Sequence, residues 1–208
     1  MAVRELTVRG YGGASVPCLF HEEERERAAV VFPGGTRSGG RLGGSPARPD
    51  LHFTRALLLE LGLGVLEVWW DAATKPRASE GWFRENALAA VRAAGGDRVA
   101  VLVGRSIGTG ALAHLPEWND RSSLWLAPLT SVRPVREALL AWRGPKLVVA
   151  GDADEAFEPV EGVDTVLVRG ADHGFDLGDA AASARALADA LEGMRRFLSA
   201  AGARAAGP

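Results

Sequence analysis

The chain has 208 residues, a length that suits one α/β domain. Hydrophobic residues make up 47% and charged residues 24%, which is ordinary for a globular protein. The formal net charge is −2, with Lys+Arg 24 against Asp+Glu 26, so the composition indicates no basic face for a nucleic-acid partner.

The sequence also limits the kinds of site that the chain can form and indicates where in the cell the protein is expected. Its only cysteine, Cys18, lies in an early strand-like segment. An internal disulfide and a cysteine-rich zinc site are therefore excluded, and a core or edge-strand thiol is expected. Residues 1–5 lack the apolar core of a signal peptide, and no segment approaches about 18 unbroken apolar residues. We therefore expect a cytoplasmic protein without a membrane span.

The first predicted elements form a hairpin. Residues 6–8 and 16–20 are strand-like, and the Gly-rich residues 10–13 between them predict a turn. A third apolar segment, residues 28–32, predicts the first strand of the main sheet. It is followed by residues 36–49, a stretch rich in Gly, Ser, Pro and Arg without periodicity. A loop of that length inside a compact domain is often functional.

From residue 51 onward, segments with helical periodicity alternate with short apolar strands. Helices are predicted at residues 51–62, 79–94 with Ser79 as N-cap, 106–115, 134–142 and 179–199, and strands at residues 65–70, 99–103, 124–126, 147–150 and 163–168. The alternation predicts an α/β fold: a mostly parallel, doubly wound sheet covered on both faces, preceded by the antiparallel hairpin. We expect a single domain over residues 1–199 and a flexible tail at residues 200–208.

The strand at residues 99–103 leads into Gly104-Arg105-Ser106-Ile107-Gly108, a Gly-x-Ser-x-Gly motif. The motif is short, but it follows a buried strand and opens an Ala/Leu helix, as a nucleophile elbow requires. Its glycines permit the sharp turn that lifts the serine hydroxyl above the sheet, and the helix N-terminus favours a developing negative charge. We predict that Ser106 is a nucleophile; the alternative is a structural serine in a Gly-rich turn.

A serine nucleophile requires a base, and the chain has four histidines. His21 lies in an acidic turn, and His114 is carried away from the elbow by the helix that follows Ser106. His52 starts a helix after the long loop and could approach the site, but it is interpreted as a surface or capping residue. His173 follows a predicted strand and precedes the last helix. Because sites form at the carboxyl ends of parallel strands, His173 is the predicted base.

The acid that orients the histidine should follow the preceding strand, at residues 147–150. Asp152 and Asp154 both lie in the turn after that strand, and each is also suited to capping the next turn. Asp172 adjoins His173 in sequence and can hardly reach its ring nitrogen. With either candidate the order along the chain is Ser, Asp, His, which is the order found in α/β-hydrolases.

Over residues 28–198 the chain resembles the α/β-hydrolase superfamily, in which the elbow is followed by a Gly-x-x-Asp turn and then by a late histidine. Gly151-Asp152-Ala153-Asp154 and Gly170-Ala171-Asp172-His173 fit these two turns. The resemblance implies an α/β-hydrolase fold and places the acid on Asp154.

The oxyanion loop of that superfamily has its counterpart in Phe32-Pro33-Gly34-Gly35-Thr36. The resemblance implies that the backbone N–H groups of Ile107 and Gly35 bind the oxyanion, with Thr36 as the alternative to Gly35. No cap domain fits between residues 126 and 134. The chain is therefore similar to small capless hydrolases, including those similar to dienelactone hydrolase, although these use Cys where this chain has Ser.

Three kinds of residue are candidates for substrate binding. Trp70 lies at the edge of the predicted site and is a candidate for lining an acyl pocket, with ordinary core packing as the alternative. Arg105 and the loop residues Arg37 and Arg41 are candidates for contacting an anionic substrate, with simple solvation as the alternative. Thr36 is a candidate because it adjoins the predicted oxyanion loop.

Together these features predict a serine hydrolase that cleaves a carboxylester or thioester in a small-molecule acyl substrate, with no metal or organic cofactor. The alternatives are a peptidase or acyltransferase with the same triad, and a non-catalytic binding module, which would usually lack a triad residue. A nucleotide-binding domain is disfavoured because residues 33–40 lack both the Gly-Lys-Ser/Thr ending and the Gly-x-Gly-x-x-Gly spacing of phosphate loops. The sequence leaves the oligomeric state open.

Overall fold

The computed structural model describes residues 2–35 and 48–205, with side chains as far as Gly202. Within these residues eight strands form one sheet in the order β1-β2-β4-β3-β5-β6-β7-β8. The strands are β1 (Val3–Arg9), β2 (Ser15–His21), β3 (Ala28–Phe32), β4 (Gly64–Val68), β5 (Val99–Arg105), β6 (Ser122–Leu126), β7 (Lys146–Gly151) and β8 (Thr165–Val168). β2 pairs antiparallel with both β1 and β4, and every other pair in this sheet is parallel. The predicted mostly parallel sheet with an N-terminal hairpin is confirmed.

Helices cover both faces of the sheet. In the described part of the chain they are α1 (Pro49–Glu60), α2 (Glu80–Ala93), α3 (Thr109–Ala113), α4 (Arg133–Ala141) and α5 (Ala180–Ala205). Buried side chains of α1 and α5 share one apolar cluster with the sheet, and those of α2, α3 and α4 share a second. The sheet is therefore doubly wound, as predicted.

Side-chain alternation along the central strands creates these two clusters. On β3, Ala29 and Val31 belong to the cluster under α1 and α5, whereas Val30 and Phe32 belong to the cluster under α2, α3 and α4. All the residues of β3 are buried, which explains why its sequence is continuously apolar. Because β3, β5, β6, β7 and β8 run parallel, the loops after them lie at one edge of the sheet.

Some predicted helix limits differ from the structure. The helix predicted at residues 106–115 is a 3₁₀ turn, Ser106–Gly108, followed by the short α3, because the chain turns sharply after β5 and Pro116 follows soon afterwards. Helix α5 continues past residue 199 to its end at Ala205; this segment is rich in alanine, and Ala201 is still buried. Ser79 occupies the N-cap of α2, but its side chain makes no capping hydrogen bond.

Cys18 lies on β2 and is buried, which agrees with its interpretation as a core thiol. Burial raises the pKa of this thiol to about 12. Burial thus disfavours the thiolate, which is the reactive form of cysteine.

Several predictions concern residues outside the described ranges. Thr36, Arg37 and Arg41 belong to this group, as does most of the loop predicted at residues 36–49. The division into a domain at residues 1–199 and a flexible tail stays a prediction. Among the described helices, none combines the length and the apolar character needed to cross a membrane.

Candidate active site

The serine of the Gly-x-Ser-x-Gly motif sits in a strained turn directly after β5. Ser106 has a backbone φ of 53°, in the left-handed region that non-glycine residues rarely adopt. Holding a residue there costs about 1–3 kcal/mol, and such strain concentrates at functional positions. The turn raises the Ser106 hydroxyl above the end of the sheet, as expected of a nucleophile elbow.

The two glycines of the motif are required by close packing. A Cβ atom on Gly104 would lie 2.9 Å from the carbonyl oxygen of Gly108 and 2.9 Å from Cδ1 of Leu112. A Cβ atom on Gly108 would overlap the carbonyl oxygen of Phe32. The elbow therefore packs against neighbouring backbone and, at Gly104, also against the Leu112 side chain, which leaves no space for a side chain at either position.

Replacing Gly108 with alanine is expected to lower the free energy of unfolding by about 1–3 kcal/mol, because the overlap with the Phe32 carbonyl forces a backbone shift. Gly202→Ala is the matched control, since no atom lies within 4 Å of its Cβ position. In helix α5 that change should raise stability by about 0.5–1 kcal/mol. Urea unfolding of both variants measures the difference; equal stabilities would contradict the packing described here.

Three predicted residues come together at the carboxyl ends of parallel strands. Ser106 follows β5, Asp154 follows β7, and His173 follows β8. Ser106 Oγ lies 2.7 Å from His173 Nε2, and His173 Nδ1 lies 2.7 Å from Asp154 Oδ2. An ionised carboxylate can only accept, so with Asp154 ionised the contact is satisfied by a proton on Nδ1, which leaves Nε2 to accept the Ser106 proton. The three side chains form one continuous hydrogen-bonded relay.

The environment of the relay changes from its buried end to its open end. The Asp154 side chain is 1% exposed, and its Oδ1 accepts the backbone N–H of Ala156 at 2.9 Å. The His173 side chain is 35% exposed. Ser106 is buried but lines a cavity of about 660 Å³. The carboxylate is thus held away from water while the hydroxyl faces a space large enough for a substrate.

The other two aspartates form different contacts. Asp152 Oδ1 accepts the backbone N–H of Gly170 at 2.5 Å, whereas the imidazole of His173 is hydrogen bonded to Asp154. Asp172 Oδ1 accepts the N–H groups of Gly174 and Asp176, at 2.6 and 3.0 Å, within its own turn. Of the candidates for the orienting acid, Asp154 is the one in contact with His173.

The predicted oxyanion residues lie next to one another beside the serine. A Cβ atom on Gly35 would lie 3.2 Å from Cγ2 of Ile107, so the loop after β3 approaches the elbow closely. Both residues line the same cavity as Ser106 and His173. Thr36, the alternative to Gly35, lies outside the described residues.

The two predicted substrate residues that the structure describes are largely buried. Trp70 is 7% exposed and packs with Phe32, Trp82 and Phe83, at ring-centroid distances of 5.8, 4.9 and 6.3 Å. Arg105 is 2% exposed and is hydrogen bonded to Asp50 and to the carbonyl oxygen of His173. The packing of Trp70 favours the core alternative.

The remaining histidines are engaged elsewhere. His21 Nε2 lies 3.0 Å from Oε2 of the buried Glu67, and His52 Nδ1 lies 2.8 Å from Nη2 of Arg55. His114 stacks on Phe83, with ring centroids 5.7 Å apart, and burial lowers its pKa. Each of these three histidines therefore has a packing or hydrogen-bonding role distinct from the relay.

Sequence reasoning missed two residues beside the site, Arg48 and Asp50. Asp50 lies in the first turn of α1, where an acidic residue is common at a helix N-terminus, so nothing in the pattern linked it to the elbow. In the structure its carboxylate contacts the guanidinium groups of both Arg48 and Arg105. The available signal in the sequence was an arginine at the end of a buried strand, directly before the nucleophile, where its charge would need a partner.

The fold is that of known α/β-hydrolases. An α/β serine hydrolase homologue from Coxiella burnetii is 16% identical with a TM-score of 0.72, and the match covers 95% of this chain and 98% of that one. A member of the α/β serine hydrolases without lid from Xanthomonas campestris is 21% identical with a TM-score of 0.66, and the match covers 100% of this chain and 98% of that one. A dienelactone hydrolase from Anabaena variabilis is 16% identical with a TM-score of 0.63, covering 92% and 97%. No protein-family model and no curated protein matches the chain.

Proposed function

We propose that this chain, which has the α/β-hydrolase fold, is a serine hydrolase that cleaves a carboxylester or thioester through an acyl-enzyme. In this proposal Ser106 is the nucleophile, His173 is the general base and Asp154 orients the imidazole. The backbone N–H groups of Ile107 and Gly35 bind the oxyanion. The observation that carries the proposal is the continuous relay. Ser106 Oγ lies 2.7 Å from His173 Nε2, His173 Nδ1 lies 2.7 Å from Asp154 Oδ2, and the serine sits in a strained elbow.

The first half of the reaction forms the acyl-enzyme. As Ser106 Oγ attacks the carbonyl carbon, its proton passes to Nε2 of His173, and Asp154 stabilises the resulting imidazolium. The carbonyl oxygen becomes an oxyanion beside the N–H groups of Ile107 and Gly35. When the tetrahedral intermediate collapses, the alkoxide or thiolate leaves with the proton from His173.

The second half returns the enzyme to its starting state. A water molecule gives a proton to His173 Nε2 and attacks the acyl carbon, and a second oxyanion forms at the same position. Collapse releases the carboxylic acid and returns the proton to Ser106 Oγ. The proposed chemistry needs no metal or organic cofactor. The small-molecule acyl substrate and the cytoplasmic location stay predictions.

Labelling with a fluorophosphonate probe tests the proposal directly. Intact-mass measurement of the wild-type protein should show one adduct, and peptide mapping should locate it on Ser106. p-Nitrophenyl esters of increasing acyl length, an acyl thioester and an acyl anilide then separate esterase, thioesterase and amidase activities. A folded protein that gains no adduct and hydrolyses none of these compounds would contradict the proposal and favour the binding-module alternative.

A further inference from the structure

We propose that Arg105 is a positioning residue whose guanidinium, held by Asp50, fixes the turn that carries His173. The inference depends on the serine hydrolase proposed above. Arg105 precedes the nucleophile in sequence and ends β5. Its side chain therefore starts from the elbow itself and reaches the turn after β8.

Two hydrogen bonds define the position of the guanidinium. Nη2–H of Arg105 donates to the carbonyl oxygen of His173 at 2.7 Å, and Nε–H donates to Asp50 Oδ2 at 3.0 Å. The bond to the carbonyl leaves the imidazole free for its contacts with the serine and the aspartate. Arg105 thus acts on the backbone of the histidine rather than on its ring.

A second arginine repeats this arrangement one residue further on. Nε–H of Arg48 donates to Asp50 Oδ1 at 3.3 Å, and its Nη2–H donates to the carbonyl oxygen of Gly174 at 3.2 Å. One carboxylate therefore supports two guanidinium groups that hold successive carbonyl groups, at His173 and Gly174. Rotation of the peptide between His173 and Gly174 would break the contact with Arg105, and rotation of the next peptide would break the contact with Arg48.

The burial of the ion pair favours a positional role over a contribution to stability. Arg105 and Asp50 are 2% and 3% exposed. A buried ion pair recovers little of its desolvation cost and is often no more stabilising than apolar residues of the same shape. Burial lowers the pKa of Arg105, and the Asp50 charge opposes that change.

The same guanidinium also packs against the loop after β3. A Cβ atom on Gly34 would lie 2.9 Å from Nη1 of Arg105, so the glycine permits this approach. Gly34 precedes Gly35, the proposed oxyanion residue. Arg105 therefore joins three parts of the site: the elbow that bears it, the turn of His173 and the oxyanion loop.

Kinetic measurements on Arg105→Met and Arg105→Lys test the inference, with Arg55→Met as the matched control. Arg55 is also a largely buried arginine, 15% exposed, and its Nη1–H groups donate to both oxygens of Glu67 at 3.0 and 3.2 Å. The described hydrogen bonds of Arg55 go to Glu67 and His52, not to the relay. The assays use p-nitrophenyl acetate as a neutral ester and a succinate half-ester as an anionic one.

For Arg105→Met we expect kcat to fall about 100-fold, because a displacement of about 1 Å at a reacting group has an effect of that size. KM should change less than about threefold for both esters, since the change affects positioning rather than binding. Arg105→Lys keeps the charge but not the planar fork, and about a tenfold loss is expected. Arg55→Met should keep the wild-type kcat.

A spectroscopic readout is independent of turnover. The His173 Nδ1 proton, hydrogen bonded to Asp154, should give a downfield proton resonance that disappears in His173→Gln. We expect this resonance to broaden or disappear in Arg105→Met and to persist in Arg55→Met. If Arg105→Met fails to fold, Arg105→Lys carries both readouts.

The outcomes separate the inference from the proposed function. A kcat of Arg105→Met close to that of Arg55→Met, or a KM that rises for the anionic ester alone, would overturn the inference; the second result indicates a substrate contact. A wild-type protein that shows the resonance but hydrolyses no ester, with the resonance lost in Arg105→Met, would refute the function and keep only the structural part of the inference, that Arg105 fixes the turn of His173. Absence of both activity and resonance in the wild-type protein would refute both.

Discussion

Replacing Ser106 with alanine is expected to abolish the fluorophosphonate adduct and to lower kcat for p-nitrophenyl acetate by roughly 10⁶-fold. The loss is large because the hydroxyl is the only group of the relay that bonds to the acyl carbon in the proposed reaction. Without it, His173 and the oxyanion donors still bind the ester but form no acyl-enzyme. Intact-mass measurement shows whether the adduct forms, and steady-state hydrolysis gives kcat. The wild-type active-site concentration comes from the probe, and the variant concentration comes from absorbance.

Ser199→Ala is a suitable control for the Ser106 variant. Ser199 is an exposed residue on α5, so its hydroxyl can be removed without disturbing the core. The Ser106 variant should also be at least as stable as the wild-type protein, since only a small hydroxyl at a strained position is lost. If Ser106→Ala kept the adduct, another serine would be the nucleophile and the elbow would have a structural role.

The order of elements was predictable because each strand and helix has a distinct local pattern. The apolar residues of β5 and β7 are continuous because both faces of those strands are buried, and such a continuous apolar segment is visible in the sequence itself. The short α3 was not predictable in the same way. Its limits depend on the strained turn at Ser106, and the backbone contact between Gly108 and Phe32 joins residues far apart in sequence.

The candidate site was predictable where residue type and chain order were sufficient. Serine, acid and histidine each follow a parallel strand, so their meeting at one edge follows from the topology. The residues alone left Asp152 and Asp154 open, because both lie in the same turn and either could cap it. The family resemblance favoured Asp154, and the structure places Asp154 against His173. The partners of Arg105 could not be predicted from the sequence, because Asp50 lies on another element and its contact with Arg105 is set by tertiary packing.

Replacing Asp154 with asparagine is expected to lower kcat by about 10⁴-fold, through the tautomer of His173. The backbone N–H of Ala156 donates to Oδ1 of Asp154, so an asparagine must place its amide oxygen there. Its NH₂ group then faces Nδ1 of His173 and donates to it, which moves the ring proton to Nε2. In that tautomer Nε2 cannot accept the proton of Ser106, and the nucleophile is not activated.

Asp152→Asn is the matched control for this variant. Its amide oxygen can accept the same N–H of Gly170 that the carboxylate accepts, and its side chain is exposed. We therefore expect kcat to stay within about threefold of the wild-type value. Hydrolysis rates of both variants, measured on protein of verified fold, distinguish the two acids. A larger loss in Asp152→Asn than in Asp154→Asn would transfer the orienting role to Asp152 and require a different arrangement of the turn after β7 during turnover.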